Sequence, residues 1–130
     1  MTQLPALVTL LTILLLFGTT VLTGRARGKY GIKAPAITGH PLFERAHRVQ
    51  MNTIENSVLF LPTLWLAATY GFSGWAGIAG LVWVIGRVWY AAAYLRDPAK
   101  RGPGFATGML AFLALLVMAG IGVGRAMLLG

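Results

Sequence analysis

The stretch that decides the fold is FERAHRVQMNTIENSVLFLPTLWLAA (Phe43–Ala68), which begins with charged residues and ends as an unbroken apolar run. Within it, Arg48, Asn52 and Glu55 are spaced i, i+4 and i+7, and this spacing places them on one face of a helix. Glu55 is the only charged side chain between positions 51 and 86. A charge inside a membrane span costs about 3 kcal/mol on insertion scales, so Glu55 is a functional-site hypothesis.

The composition of the whole chain is that of an integral membrane protein. Of its 130 residues, 57% are hydrophobic and 11% are charged, which is typical of a membrane protein rather than a soluble globular one. Eleven Lys and Arg against three acidic residues give a net charge of +8. Because these cations flank apolar segments, they indicate membrane orientation and an anionic ligand, and nucleic acid is not an expected partner.

Thiol and metal chemistry are limited by the residue types present. The chain contains no cysteine, which excludes disulfides and Cys-ligated metals, and its two histidines lack metal-ligand spacing. No metal site is therefore expected. Any thiol chemistry would have to use a thiol that a ligand brings.

Apolar segments predict an all-α, four-helix transmembrane bundle that forms a single domain over residues 1–130. The predicted helices cover about residues 4–23, 43–70, 75–96 and 104–128, and each is long enough to cross a ~30 Å hydrocarbon core. The first segment lacks a positive region before it and a cleavage pattern after it, so it is interpreted as a span and not as a signal peptide. Residues 23–42 are interpreted as a loop because they contain four glycines and two prolines.

Positive charge predicts the orientation of these spans. The two basic loops, residues 23–42 and 97–103, fall on the same side of a four-span bundle, while the turn at residues 71–74 is uncharged. The positive-inside rule places the basic loops in the cytoplasm and both termini outside or in a lumen. The membrane is expected to be a bacterial inner membrane or the endoplasmic reticulum.

Small and aromatic residues predict how the helices pack. Glycines recur at spacings that let membrane helices approach closely. They are Gly77, Gly80, Gly104, Gly108, Gly120 and Gly124. The tryptophans are expected to face lipid or the membrane interface. They are Trp65, Trp75, Trp83 and Trp89.

A second polar stripe lies in the third predicted helix, where Arg87, Tyr90 and Tyr94 are spaced i, i+3 and i+7. The tight turn makes the second and third helices antiparallel neighbours, so residues equally distant from it lie at equal depth. The pairs at equal depth are Arg48 with Tyr94, Asn52 with Tyr90, and Glu55 with Arg87. The two stripes predict a polar ladder that descends roughly 15 Å from the cytoplasmic surface.

Two interpretations of this ladder remain open. In the first, Glu55 and Arg87 form a buried ion pair that only neutralises both charges. In the second, the ladder is a ligand site, because Arg48, Arg87 and Arg101 outnumber Glu55 and Asp97 and leave the region cationic. An anionic ligand would offset that charge, and arginine binds carboxylates through paired hydrogen bonds.

Two motifs resemble those of a known family. FERAHRVQMNTIEN and the later RVWYAAAYLRDPAKRGP (residues 87–103) resemble the membrane-associated proteins in eicosanoid and glutathione metabolism (MAPEG), especially the microsomal glutathione transferase and leukotriene C synthase branches. The resemblance covers residues 25–103. It implies a homotrimer of four-helix subunits that binds glutathione between subunits at the cytoplasmic side of the bilayer.

The resemblance also implies site residues by position. The matches to glutathione contacts are Arg48, Asn52, Glu55, Arg87, Tyr90 and Tyr94. Gln50 matches a contact from the neighbouring subunit, and Arg27 matches another, with Arg25 as the alternative. Arg101 matches the arginine credited with activating the thiol. Asn56 is included in the binding set, although leukotriene C synthase has a tyrosine there.

The function that the resemblance implies is a glutathione transferase acting on lipophilic electrophiles, with glutathione peroxidase activity on lipid hydroperoxides as an additional expectation. Glutathione would be the co-substrate. One alternative is a non-catalytic protein that binds a lipid or glutathione and presents it to a partner. Another is a small proton-coupled multidrug transporter that uses Glu55, although the surrounding arginines would repel a cationic drug.

Overall fold

The computed structural model describes residues 3–130, which form four long helices and no strand in that range. The helices are α1 (Gln3–Tyr30), α2 (Pro41–Thr69), α3 (Ser73–Arg96) and α4 (Gly102–Leu129), with a short 3₁₀ turn at Pro98–Lys100. Among the described residues, Gln3–Tyr30, Ser73–Arg96 and Pro98–Leu129 are long and apolar enough to span a membrane. The prediction of an all-α membrane bundle is therefore confirmed. α2 is as long as the others, but its first half is polar.

The prediction of a loop that begins at residue 23 is wrong, because α1 continues to Tyr30. Gly24 and Gly28 lie inside the helix, where each lowers helix propensity by only about 1 kcal/mol relative to alanine. Cooperative hydrogen bonding in a 28-residue helix outweighs that penalty. Gly31 directly follows the last residue of α1, and its φ of +67° favours glycine and is typical of the position after a helix C-terminus.

The start of α2 is fixed by a histidine and a proline. The Nδ1 atom of His40 accepts a hydrogen bond from the backbone N–H of Leu42 at 3.1 Å, and Pro41 occupies the first helical position. The His40 ring stacks on Tyr30 from the end of α1, with ring centroids 3.8 Å apart. This contact joins the two helices at the end of the bundle where the polar residues lie.

Glycines bring α3 and α4 into backbone contact. A Cβ at Gly86 would lie 2.6 Å from the backbone nitrogen of Gly108, and a Cβ at Gly104 would overlap the backbone of Tyr90. By contrast, a Cβ at Gly120 would meet nothing within 4 Å. The glycines near the start of α4 therefore set the distance between the two helices.

The prediction that all four tryptophans face lipid or the interface is wrong for Trp83. Its side chain is 1% exposed and stacks on Phe60 of α2, with centroids 3.7 Å apart and an interplanar angle of 4°. Leu64 and Leu115 are buried in the same core cluster. This apolar core closes the bundle beneath the polar end.

Candidate functional site

A cleft of about 420 Å³ opens between α2, α3 and the start of α4. Six residues line this cleft, and all of them except a phenylalanine were proposed as site residues from the sequence. They are Arg48, Asn52, Tyr90, Tyr94, Arg101 and Phe105. The antiparallel arrangement of α2 and α3 thus brings the upper two levels of the polar ladder into one cavity.

The cleft is cationic, because two guanidinium groups line it and no acidic residue does. Arg48 is exposed on α2. Arg101 is the residue before α4 and donates from Nη1 to the carbonyl oxygen of Pro98 at 2.7 Å. The N-terminus of α4 has no side-chain cap, and a helix N-terminus adds positive potential. These groups favour an anionic ligand.

Beneath the cleft, Arg87 is fixed by contacts from two helices. Its side chain is 1% exposed, and its Nη2 donates to Asn52 Oδ1 at 2.8 Å and to Thr53 Oγ1 at 3.0 Å. The guanidinium carbon also lies 4.3 Å from the centroid of the Tyr90 ring. Arg87 therefore contacts two cleft residues from below without lining the cleft itself.

The buried ion pair between Glu55 and Arg87 does not form, so that interpretation of the ladder is wrong. Glu55 is exposed on the outer surface of this single chain. At 100° per residue, Glu55 lies about 160° around α2 from Thr53, which faces α3. The i, i+4, i+7 stripe therefore runs along the flank of α2 and leaves the cleft below Asn52.

Sequence reasoning missed Thr53, the other acceptor of the Arg87 hydrogen bonds. Thr53 is fully buried, as are Val49 and Phe60 on the same face of α2. Thr53 is one of three polar residues, with Ser57 and Thr63, on the mostly apolar buried face of α2, and a polar residue on such a face was the available signal. Thr53 carries no charge, so the pattern of ionisable residues does not reveal it.

Gln50 and Arg27 do not line the cleft of this chain. Gln50 Nε2 donates to Thr20 Oγ1 of α1 at 3.2 Å. Arg27 donates from Nη1 to the carbonyl oxygen of Ala36 at 2.7 Å, and its guanidinium lies 4.9 Å from the Phe43 ring centroid. Both residues therefore lie on or near the α1–α2 surface.

Two further residues of the expected binding set also lie outside the cleft. Asn56 donates from Nδ2 to the backbone carbonyl of Asn52 at 2.8 Å and approaches its Oδ1 at 3.3 Å. The side chain of Asn52 thus lies between Asn56 and Arg87. Arg25, the alternative to Arg27, is exposed near the end of α1.

Fold and site together define an all-helical integral membrane protein with a cationic cleft at one end of its bundle. The family model of the MAPEG family matches residues 5–121. The chain belongs to the MAPEG family. The resemblance of its two polar motifs to that family is therefore confirmed.

Known relatives cover most of the chain. An uncharacterised protein of Synechocystis sp. is 47% identical over 87% of this chain and 82% of its own. Human microsomal glutathione S-transferase 2 is 43% identical over 75% of this chain and 68% of its own. Guinea-pig (Cavia porcellus) leukotriene C4 synthase is 39% identical over 91% of this chain and 79% of its own.

Proposed function

We propose that this chain is a membrane-bound glutathione transferase that joins the thiolate of glutathione to lipophilic electrophiles. The observation that carries the proposal is the cleft in which Arg48 and Arg101 meet Asn52 and two tyrosines without an acidic residue. The names of two relatives, a glutathione S-transferase and a leukotriene synthase, support the same class of reaction.

The cleft matches the chemistry of glutathione. Glutathione has two carboxylates, an ammonium group and a thiol, and arginine binds carboxylates well. A free thiol has a pKa of about 8.5, which a nearby cation lowers, and each unit corresponds to about 1.4 kcal/mol. Arg101, next to the positive end of α4, is the proposed activating group. Arg48 would hold a carboxylate, while Arg87 would keep Asn52 and Tyr90 in position.

The second substrate would reach the cleft from the bilayer. The thiolate attacks an electrophilic carbon, a C–S bond forms, and the leaving group departs with the electron pair of the bond that breaks. The same thiolate would attack the terminal oxygen of a lipid hydroperoxide and break its O–O bond, which gives a sulfenic acid of glutathione and an alkoxide that takes a proton from water to become the alcohol. A second glutathione then converts the sulfenic acid to the disulfide and water.

We further propose that the working assembly is a homotrimer, in which each cleft is completed by the neighbouring subunit. Glu55 is exposed on the apolar outer surface of α2. A carboxylate that faces lipid inside the membrane is energetically costly. A second subunit over this face would cover it and let Glu55 hold the ammonium of glutathione. Gln50 and Arg27, on the neighbouring surface, are the proposed contacts from the adjacent subunit.

The test compares Arg101→Ala with Arg125→Ala, which removes a cation near the other end of the same helix. Purified protein is titrated with glutathione, and the ultraviolet thiolate absorbance and the conjugation of chlorodinitrobenzene are measured. Arg101→Ala should lose the thiolate signal and most of the rate at neutral pH, and regain rate as pH rises. Arg125→Ala should match the wild type.

The same titration separates this proposal from the alternatives. Glutathione binding without a thiolate signal in the wild type would indicate a presenting protein. Absence of glutathione binding, together with proton-coupled drug uptake into vesicles that requires Glu55, would indicate a transporter. Full activity of Arg101→Ala with an unchanged pH profile would refute the role of Arg101.

A further inference from the structure

A second cavity, of about 660 Å³, lies on the outer side of α3 and α4, away from the cleft. Its lining combines small apolar residues, one tryptophan and two cations. They are Trp89, Ala92, Ala93, Arg96, Ala99, Lys100 and Pro103. We call this cavity the outer groove, and it shares no lining residue with the cleft.

We propose that the outer groove binds the headgroup and upper acyl chains of an anionic phospholipid. Trp89, Ala92, Ala93 and Arg96 are spaced i, i+3, i+4 and i+7, so they form one stripe along α3. The stripe runs about 10 Å along the helix axis from Trp89 to Arg96. The cations thus lie at the end of the helix and the tryptophan lies deeper.

The charge of the groove favours a phosphate at its upper end. Arg96 and Lys100 are both exposed there. Asp97 is the nearby acidic residue, and its Oδ1 accepts a hydrogen bond from the backbone N–H of Ala99 at 3.0 Å rather than lining the groove. A cation near a membrane surface attracts anionic lipid by about 1 kcal/mol, so two cations amount to roughly a tenfold preference or more.

The lower part of the groove fits acyl chains better than a free ion. Ala92 and Ala93 leave the space open because their side chains are single methyl groups, and Pro103 closes it from α4. Trp89 is 48% exposed, and tryptophan is enriched at the level where headgroups meet hydrocarbon. A phosphate ion would use only the cationic end and leave this apolar surface uncovered.

The groove and the cleft lie on opposite sides of one short segment. Lys100 faces the groove and the next residue, Arg101, lines the cleft. Arg45 of α2 holds this region by donating from Nη1 to the carbonyl oxygens of Leu95, at 3.4 Å, and Arg96, at 3.1 Å. A lipid bound to the groove would therefore contact the segment that carries Arg101.

The test measures quenching of tryptophan fluorescence by lipids brominated in the acyl chain. Protein in mixed micelles is titrated with brominated phosphatidylglycerol or brominated phosphatidylcholine. In the wild type, the saturable part of the quenching should reach half of its maximum at a roughly tenfold lower mole fraction of the anionic lipid. Arg96→Gln combined with Lys100→Gln should lose that preference. The matched control, Lys29→Gln with Lys33→Gln, removes two exposed cations from the same end of the bundle and should retain it.

A second variant tests the groove independently of charge. Ala92→Phe fills the space beside Trp89 and should abolish the preference while both cations remain. Inorganic phosphate at millimolar concentration should not displace the lipid, and displacement would show that the site binds a free anion instead. Equal quenching by both lipids in the wild type would overturn the proposal, as would equal loss of preference in the control pair.

Discussion

Arg87 is the residue on which the floor of the cleft depends. It is buried, its Nη2 donates to Asn52 and Thr53, and its Nε is among the buried nitrogens without a hydrogen-bond partner in the described range. A buried charge with few partners is sensitive to the loss of any one of them, because the remaining charge keeps its desolvation cost. Thr53 is therefore predicted to matter for the cleft although it does not line it.

Replacing Thr53 with valine should lower both stability and substrate affinity. Removing one hydrogen bond to a buried charged group costs about 2 kcal/mol, so the thermal unfolding midpoint in detergent should fall. Because Arg87 also holds Asn52, KM for glutathione should rise several-fold, with a smaller change in kcat. Thr53→Ser keeps the hydroxyl and should restore KM. A valine variant that matches the wild type in both midpoint and KM would contradict this role.

Helix packing is decided by the glycines between α3 and α4. Gly86→Ala would place a Cβ 2.6 Å from the backbone of Gly108, so the two helices must separate. Overpacking of this kind costs about 1–3 kcal/mol, more than the gain of up to 1 kcal/mol in helix propensity. The unfolding midpoint should therefore fall.

Gly120→Ala is the matched control on α4, since nothing lies within 4 Å of its would-be Cβ. It should leave the midpoint of the purified protein unchanged or raise it slightly, because alanine is the better helix former. Equal destabilisation by Gly86→Ala and Gly120→Ala would show that the α3–α4 contact is not the cause.

The sequence predicted the number and order of helices, because hydrophobic runs of about 20 residues are a strong signal. It predicted the end of α1 poorly, because glycine stops a helix only where it adopts a positive φ, as Gly31 does and Gly28 does not. It placed Arg48 and Asn52 near the two tyrosines correctly. It paired Glu55 with Arg87 wrongly, because equal depth on two neighbouring helices does not show that the two side chains face each other.

At the scale of the whole molecule, a single subunit leaves polar residues on its outer surface that an assembly would cover. If Glu55 meets a neighbouring subunit, the protein in detergent should have three times the 13.9 kDa mass of the chain after subtraction of bound detergent. Light scattering coupled to size exclusion measures this mass. Glu55→Gln keeps the shape of the side chain and should retain the trimer while weakening glutathione binding. A monomeric wild type would contradict the shared cleft.

The orientation of the bundle decides which compartment would supply glutathione, the proposed co-substrate, to the cleft. The end of α1 and the following loop carry Arg25, Arg27, Lys29 and Lys33, whereas the short connection between α2 and α3 carries no charge. The positive-inside rule then predicts that the cleft opens to the cytoplasm.

Because the chain has no cysteine, single substitutions can report this orientation without a background signal. When the protein is produced in bacteria, a membrane-impermeant maleimide added to intact spheroplasts should label Ser73→Cys and spare Lys33→Cys. Lysis should make Lys33→Cys reactive, and that step controls for burial of the thiol. Labelling of Lys33→Cys before lysis would place the cleft on the outer side, where cytoplasmic glutathione could not reach it.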